Sequence, residues 1–222
     1  MSAVLAIGYG STELGLATVV MGDEIDAHPE SVGRVVSGSA IRIAGPEGED
    51  LPSGHVGEIW MAGASAFSGY LNAPELTEAT LRDRWVLSGD LGHLDENGYL
   101  YIDGRSKELI ISGGQNIFPA EIEHVLSGFA DLSDFCVIGV PDSRWGEAVC
   151  AVVVPAPGRT VIAEDVIAFV GASIGSYKKP KHVVFVDQLP RSASGKVVKR
   201  EVRDLVKASG YEGPGLDWNT DT

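Results

Sequence analysis

The 222-residue chain is predicted to adopt an α+β fold, a β-rich first part followed by a smaller part in which helices and strands alternate. Three observations predict it. Short apolar or alternating runs bounded by turn residues fill residues 40–103. Amphipathic helical faces alternate with apolar strands from residue 109 onward. Charge divides at the same place: residues 1–106 hold 5 basic and 16 acidic side chains, whereas 107–222 hold 12 and 15. The expected domains are therefore 1–106 and 107–222, the second with its core at about 108–207.

The elements follow in order. Ala40 to Ala44 and Val56 to Ala62 read as strands, and Pro74 to Leu81 as a helix with proline in its first turn. Leu91 to Asp95 and Tyr99 to Asp103 flank Asn97-Gly98 as a hairpin. The second part reads as strand Leu109 to Ile111, helix Pro119 to Leu126, strands Phe135 to Val140 and Ala148 to Val154, helix Ile162 to Val170, strand Val183 to Val186 and a last helix through Leu205. Ile122, Val125, Leu126 and Phe129 share one helical face, as do Val198, Val202, Leu205 and Val206. Ala148 to Val154 is apolar in both alternating registers, which predicts a central strand covered on both sides. The polar stretch beyond Tyr211 is expected to fray.

Composition excludes several classes. Hydrophobic residues at 44% and charged residues at 22% are globular usage, not that of a disordered chain. A net charge of −14 argues against non-specific binding to nucleic acid or anionic membranes. The concentrated positive field lies at 178–207, with 9 basic and 3 acidic residues, and there an anion would go. Cys136 and Cys150, set in apolar runs, read as buried free thiols of a reducing compartment. The N-terminus has neither a signal-peptide pattern nor a span, so a cytoplasmic location is expected. His28, His55, His93, His124 and His182 have no metal-ligand spacing and are expected in surface or capping roles.

Three segments carry chemistry. Ile7-Gly-Tyr-Gly-Ser-Thr-Glu-Leu-Gly15 is not a dinucleotide fingerprint, because Glu13 stands where the third glycine of G-x-G-x-x-G belongs. Its Ser-Thr-Glu could instead offer hydroxyls and amides to a phosphate, with Glu13 holding Mg²⁺. Leu189 to Arg200 contains Gly195-Lys196, but Pro190 and Val197 break the Walker pattern. Lys196 on that glycine-serine loop could still place a point charge against a carboxylate or phosphate. In Ser88-Gly-Asp-Leu-Gly92 and Tyr101 to Glu123, Asp90 could accept two ribose hydroxyls and Arg105 could brace the sugar or a phosphate.

Tyr9-Gly-Ser-Thr-Glu13, Gly57-Glu58, Gly69-Tyr70, Ser88-Gly-Asp90, Gly104-Arg105, Ser112-Gly-Gly114 and Pro190 to Lys196 together resemble the C-terminal part of an adenylate-forming enzyme of the acyl-CoA synthetase branch. The resemblance runs from about Ile7 to Lys207. It implies a β-rich C-terminal piece of the large AMP-binding domain at 1–106 and a mobile lid domain at 107–222.

The implied substrates are a small carboxylic acid, a fatty or aryl acid with the fatty acid preferred, together with ATP and coenzyme A. The acid first forms an acyl-adenylate, and CoA then takes the acyl group as AMP leaves. In the nucleotide site, Tyr9, Gly10, Ser11 and Thr12 would meet the adenine and phosphate, Glu13 would position Mg²⁺, and Asp90 with Arg105 would hold the ribose. Lys196 resembles the adenylation lysine, so Lys196, Thr12 and Glu13 form the implied catalytic set. Lys107 occupies the hinge position. Ser112, Gly113 and Gly114 would line the thiol passage, where a Cβ would obstruct it, and Trp145 would pack on the pantetheine arm. Lys178, Lys179 and Lys181 read as a solvated charge run.

These residues hold no Ser/Thr/Gly-rich phosphate loop, so little ligase activity is expected of the chain alone, and a separate chain could carry that loop. No nucleic acid or membrane span is implied. Two other readings compete: a non-catalytic remnant or binding module using the lid fold, and a peptide-synthetase adenylation module. Ile110 to Pro119 takes the CoA-ligase form.

Overall fold

A computed structural model of the chain describes residues 5–216 and 218. The molecule divides into two compact units, Met1–Lys107 and Glu108–Thr222.

The first unit carries strands β1 (Ala6–Ser11), β2 (Gly15–Met21), β3 (Ser31–Val35), β4 (Ser39–Ala44), β5 (Gly57–Gly63), β6 (Leu81–Arg82), β7 (Trp85–Leu94) and β8 (Leu100–Arg105), with short helices α1 (Asp23–Ala27) and α2 (Pro74–Thr80). They form one eight-stranded sheet in the order β1-β2-β3-β8-β7-β5-β4, with β6 paired to β7. Leu14, Ala17, Ile43, Ile59, Met61 and Leu100 make its core. The hairpin predicted at Asn97-Gly98 is present, but its loop is longer than two residues. The Asp95 amide donates to the Tyr99 carbonyl at 2.9 Å, and the Asp95 carboxylate accepts the Asn97 and Tyr99 amides. Gly98 at φ 79° takes the left-handed position of a three-residue loop.

The second unit contains β9 (Ile110–Ser112), β10 (Gln115–Ile117), α3 (Pro119–Leu126), β11 (Leu132–Asp142), β12 (Gly146–Pro155), α4 (Ala163–Ser173), β13 (His182–Phe185) and α5 (Lys199–Ala208). β12 is central: β11 pairs along one edge, and the other is shared by parallel β13 and by β9 at Gly146↔Ser112. Alternate residues of β11 and β12 feed two cores. Val137, Val149, Ala151 and Val153 pack with Ile122, Leu126, Val166 and Val170 of α3 and α4. Cys136, Ile138, Cys150 and Val152 pack with Val202 and Val206 of α5. The doubly covered strand read from the sequence is thus present, and both free cysteines are buried; burial pushes each thiol up to about 12, which leaves it inert.

Two expectations are corrected. The stretch after Tyr211 does not fray over its described part: Tyr211, Leu216 and Trp218 pack on the second core, and the Ser143 amide donates to the Gly215 carbonyl at 2.8 Å. His182 is neither a surface nor a capping residue but 1% exposed, edge-on to Tyr211, with neither ring nitrogen hydrogen-bonded. Its pKa is pushed down by burial, which outweighs the opposing Asp142 carboxylate and is helped by the Lys181 charge.

Lys199, at the start of α5, is half-buried against two carboxylates, Glu108 at 2.8 Å and Glu123 at 3.1 Å. Among the described residues no helix is long and apolar enough to cross a membrane.

Candidate functional site

In the first unit the geometry centres on a bulge in β7. Opposite β5, Glu58 pairs with Leu91 and Trp60 with Leu87, so Ser88-Gly89-Asp90 faces Ile59 alone. Such a bulge re-aims a side chain while the flanking ladder stays intact. It is held by three bonds: the Ser88 hydroxyl donates to the Ile59 carbonyl at 2.7 Å and accepts the Asp90 amide at 3.0 Å, and the Gly89 amide donates to Glu58 at 3.2 Å.

Asp90 thereby reaches both neighbouring elements. Its Oδ2 accepts the Tyr9 hydroxyl at 2.7 Å, and its Oδ1 lies 3.1 Å from Nε of Arg105, its register partner on β8. Burial, reinforced by the Asp90 carboxylate, pushes the Tyr9 phenol far up, so it stays a donor. Most of the Arg105 guanidinium remains exposed.

Glu13 sits on the turn between β1 and β2. Its Oε1 accepts the Tyr70 hydroxyl at 2.6 Å, and its Oε2 accepts Thr12 Oγ1 at 3.1 Å. The Tyr70 hydrogen bond, helped by Ser11 and Thr12, outweighs burial and holds the carboxyl below its usual range. Tyr70 carried no assigned role in the sequence; only its place beside Gly69 marked it. Ser11, Glu13, Glu58, Tyr70, Ser88, Arg105 and Lys107 line a cleft of about 430 Å³. Tyr9, Thr12 and Asp90 are bonded to those walls without lining the cleft themselves. Gly10 has a local cause: a Cβ there would strike the Gly15 carbonyl across the hairpin.

Glu13 is a single carboxylate, and among the described residues no group of three His, Cys, Asp or Glu could hold a metal. One charged, partly exposed carboxylate fits Mg²⁺ that is otherwise carried by substrate phosphates and water.

In the second unit Lys196 lies exposed on the loop between the bridged residues Arg191 and Val197. The loop is built: the Ser192 amide donates to the Lys196 carbonyl at 2.8 Å, and Arg191 spans from the Gly195 carbonyl to Asp134, both at 2.6 Å. Lys196 itself has no ion-pair partner among the described residues.

Gly113 and Gly114 are the two central residues of the tight β9–β10 turn, at φ 58° and 79°, with Ser112 paired to Gln115. Both angles belong to the left-handed region of a two-residue hairpin turn. The fold gives these glycines a further reason. A Cβ on Gly114 would meet nothing within 4 Å, and one on Gly113 would lie 2.5 Å from the Trp145 ring. Backbone conformation and the indole therefore demand glycine here. Trp145 is 39% exposed, with the Arg144 guanidinium 4.7 Å and the Lys181 ammonium 4.6 Å from its ring centre. Lys178 does not belong to a solvated run, being mostly buried and bonded to both oxygens of Glu121.

Residues 1–71 match the family described as AMP-binding enzyme, and residues 121–196 match the AMP-binding enzyme C-terminal domain. The indoleacetate–CoA ligase of Aromatoleum aromaticum is 46% identical over 199 residues, covering 89% of this chain and 39% of that protein. The chain belongs to the adenylate-forming superfamily, in its acyl-CoA ligase branch. Another acyl-CoA ligase relative, the long-chain-fatty-acid–CoA ligase FadD13 of Mycobacterium tuberculosis, is 36% identical, over 91% of this chain and 40% of that one. The crystal structure of ATP-bound MatB from Rhodopseudomonas palustris superposes with a TM-score of 0.84 at 38% identity, over 93% of this chain and 41% of that one. The chain thus spans about two fifths of the length of the acyl-CoA ligases it matches.

Proposed function

We propose that this chain supplies the ribose side of the nucleotide site and the lid of an ATP-dependent acyl-CoA ligase, which converts a carboxylic acid to its acyl-adenylate and then to a CoA thioester. The observation that carries this reading is the array in which Tyr9 and Arg105 both engage the Asp90 carboxylate beside the cleft that holds Glu13. A carboxylate fixed by two donors keeps free lone pairs for a pair of vicinal hydroxyls. The Arg105 guanidinium adds donors for the sugar or a phosphate oxygen.

In this reading Tyr9, Gly10, Ser11 and Thr12 meet the nucleotide, and Glu13, held ionised, takes Mg²⁺, which supplies charge neutralisation at the phosphates. Lys196 brings its ammonium to the oxygens where charge develops in adenylation. Lys107 is the hinge between an AMP-binding part at 1–106 and a lid at 107–222. Ser112, Gly113, Gly114 and Trp145 receive the CoA thiol arm. Residues for the β- and γ-phosphates and the acyl pocket come from sequence outside these 222 residues, continuous with them or on a separate chain. A fatty acid is the proposed acyl donor, in keeping with the name of the FadD13 relative. A reducing cytoplasm suits the two free thiols.

Calorimetric titration of the chain with AMP tests the carrying observation. Saturable binding that falls tenfold or more in Asp90→Ala supports it. Equal affinity of the two proteins, or no AMP binding by either, overturns it. Competition between a long-chain fatty acid and indoleacetate in ATP–pyrophosphate exchange, with the phosphate-loop region supplied, tests the acyl assignment.

A further inference from the structure

The turn Asp142–Glu147 between β11 and β12 is the part of the second unit on which the Gly113–Gly114 turn is seated. Three attachments join them: the Gly113 amide donates to the Trp145 carbonyl at 2.9 Å, Ser112 pairs with Gly146, and the Ile111 amide donates to the Glu147 carboxylate at 2.8 Å. The third attachment is unusual, because a side chain stands in for a backbone ladder partner. It lets a three-residue strand dock on β12 without a full ladder.

The Asp142–Glu147 turn is itself held from below. Asp142 is 5% exposed, and its Oδ1 accepts the amides of both Arg144 and Trp145 at 2.9 Å. Its Oδ2 faces the Lys181 ammonium at 3.7 Å, the same ammonium that lies over the Trp145 ring. The C-terminal run closes the underside: Leu216 bridges to Asp142, and a Cβ on Gly215 would lie 3.0 Å from Oδ2. A carboxylate that accepts two consecutive amides fixes the direction of the intervening backbone. Here it fixes the carbonyl and indole of Trp145, on which Gly113 rests.

We propose that Asp142 and Glu147 are positioning residues for the thiol-transfer step, Asp142 by setting Trp145 and Glu147 by docking the strand that carries the Gly113–Gly114 turn. Neither touches a reacting atom; both act through the turn. The inference rests on the reading that this turn receives the CoA arm.

Hydrogen exchange and ¹H–¹⁵N spectra of the 222-residue chain test it, with the Trp145 indole signal assigned by Trp145→Phe. Asp142→Ala should speed exchange of the Gly113 amide at least tenfold and shift the Trp145 indole signal, while the Val184 amide on β13 keeps its protection. Asp142→Asn, which retains an oxygen acceptor, should restore most of that protection. Glu147→Ala should free the Ile111 amide, and Glu147→Gln should not. Unchanged Gly113 exchange in both alanine variants overturns the positioning role, as does loss of protection at Gly113 and Val184 alike in Asp142→Asn. Titration with CoA separates this from the reading beneath it. CoA-induced shifts at Gly113 and Gly114 that vanish in Asp142→Ala support both. If Gly113 loosens but CoA shifts neither glycine in any of the proteins, the positioning of the turn stands and its assignment to CoA falls.

Discussion

The Tyr70 hydroxyl donates to the Glu13 carboxylate at 2.6 Å across 57 residues of sequence, and it is the largest influence holding that carboxyl below its ordinary range. Tyr70→Phe removes it. The Glu13 carboxyl should then titrate nearer its ordinary value, which carboxyl ¹³C shifts will follow. Glu13 is partly exposed, so the expected stability loss is only about 1 kcal/mol. The sign follows from linkage: a carboxyl depressed by folding adds stability above its unfolded pKa, lost as pH falls through the folded value. Tyr70→Phe should therefore lower stability at neutral pH by that amount and leave it nearly unchanged once the carboxyl is protonated, which flattens the acid limb of the stability profile.

Tyr9 and Arg105 grip Asp90 from opposite sides. Tyr9→Phe leaves the ring packed and deletes one charge-assisted bond, so AMP affinity should fall about tenfold. Arg105→Lys should fall comparably, because an ammonium cannot hold the carboxylate and also reach the ligand as a guanidinium fork does. Fluorescence or calorimetric titration reads both.

Lys196 is exposed on a loop closed by Arg191. Lys196→Ala should leave the melting temperature unchanged, as befits an exposed side chain. In a ligase completed with the phosphate-loop region it should slow adenylation by about 10²- to 10³-fold while sparing thioester formation from supplied acyl-adenylate. Equal loss in both half-reactions would contradict its assigned role.

Lys199 shares its ammonium between Glu108 and Glu123. Burial alone would lower its pKa, but the two carboxylates outweigh burial and raise it. Its contribution to stability is complete below the unfolded lysine value and is lost as pH climbs through the folded one. Lys199→Ala strands two carboxylates and should cost about 3 kcal/mol. Lys199→Met combined with Glu108→Gln and Glu123→Gln should recover much of that. Urea unfolding at pH 7 and pH 11 measures both effects.

The two turn glycines should separate experimentally. Gly114→Ala carries only the left-handed backbone cost of about 1–2 kcal/mol, whereas Gly113→Ala adds a collision with the Trp145 ring. Thermal unfolding should rank them in that order, and only Gly113→Ala should move the Trp145 indole signal.

Much of the second unit could be read in advance because each element reports its own burial. The faces of α3 and α5 and the doubly apolar β12 follow from periodicity alone. The first unit was less legible. α1 is five residues with no buried face, and β3 is five residues, interrupted by Gly33 and paired with β8 far away in sequence, so no local pattern marks them. Among the site residues, Asp90 and Arg105 were found by type and motif, and the register that sets them side by side comes from β7 and β8. Tyr70, Ser88, Glu58, Asp142 and Glu147 act by holding other groups, and nothing in their local sequence says what they hold. The turn glycines were recognised, and their backbone angles add a conformational reason that the sequence did not show. The polar composition after Tyr211 concealed Leu216 and Trp218, whose few apolar atoms find a hydrophobic seat.

That last seat has a practical meaning for how the protein is shortened. Trimming the polypeptide at Lys207, where helical periodicity ends, would strip the cover from His182 and admit water to the underside of Asp142. An imidazole once kept neutral by dryness would then gain a proton in mild acid. The intact chain, whose folded state resists that proton, should lose stability as pH falls through the unfolded histidine range, whereas the trimmed protein, which takes up the proton while folded, should lose less of its stability to the same acidification.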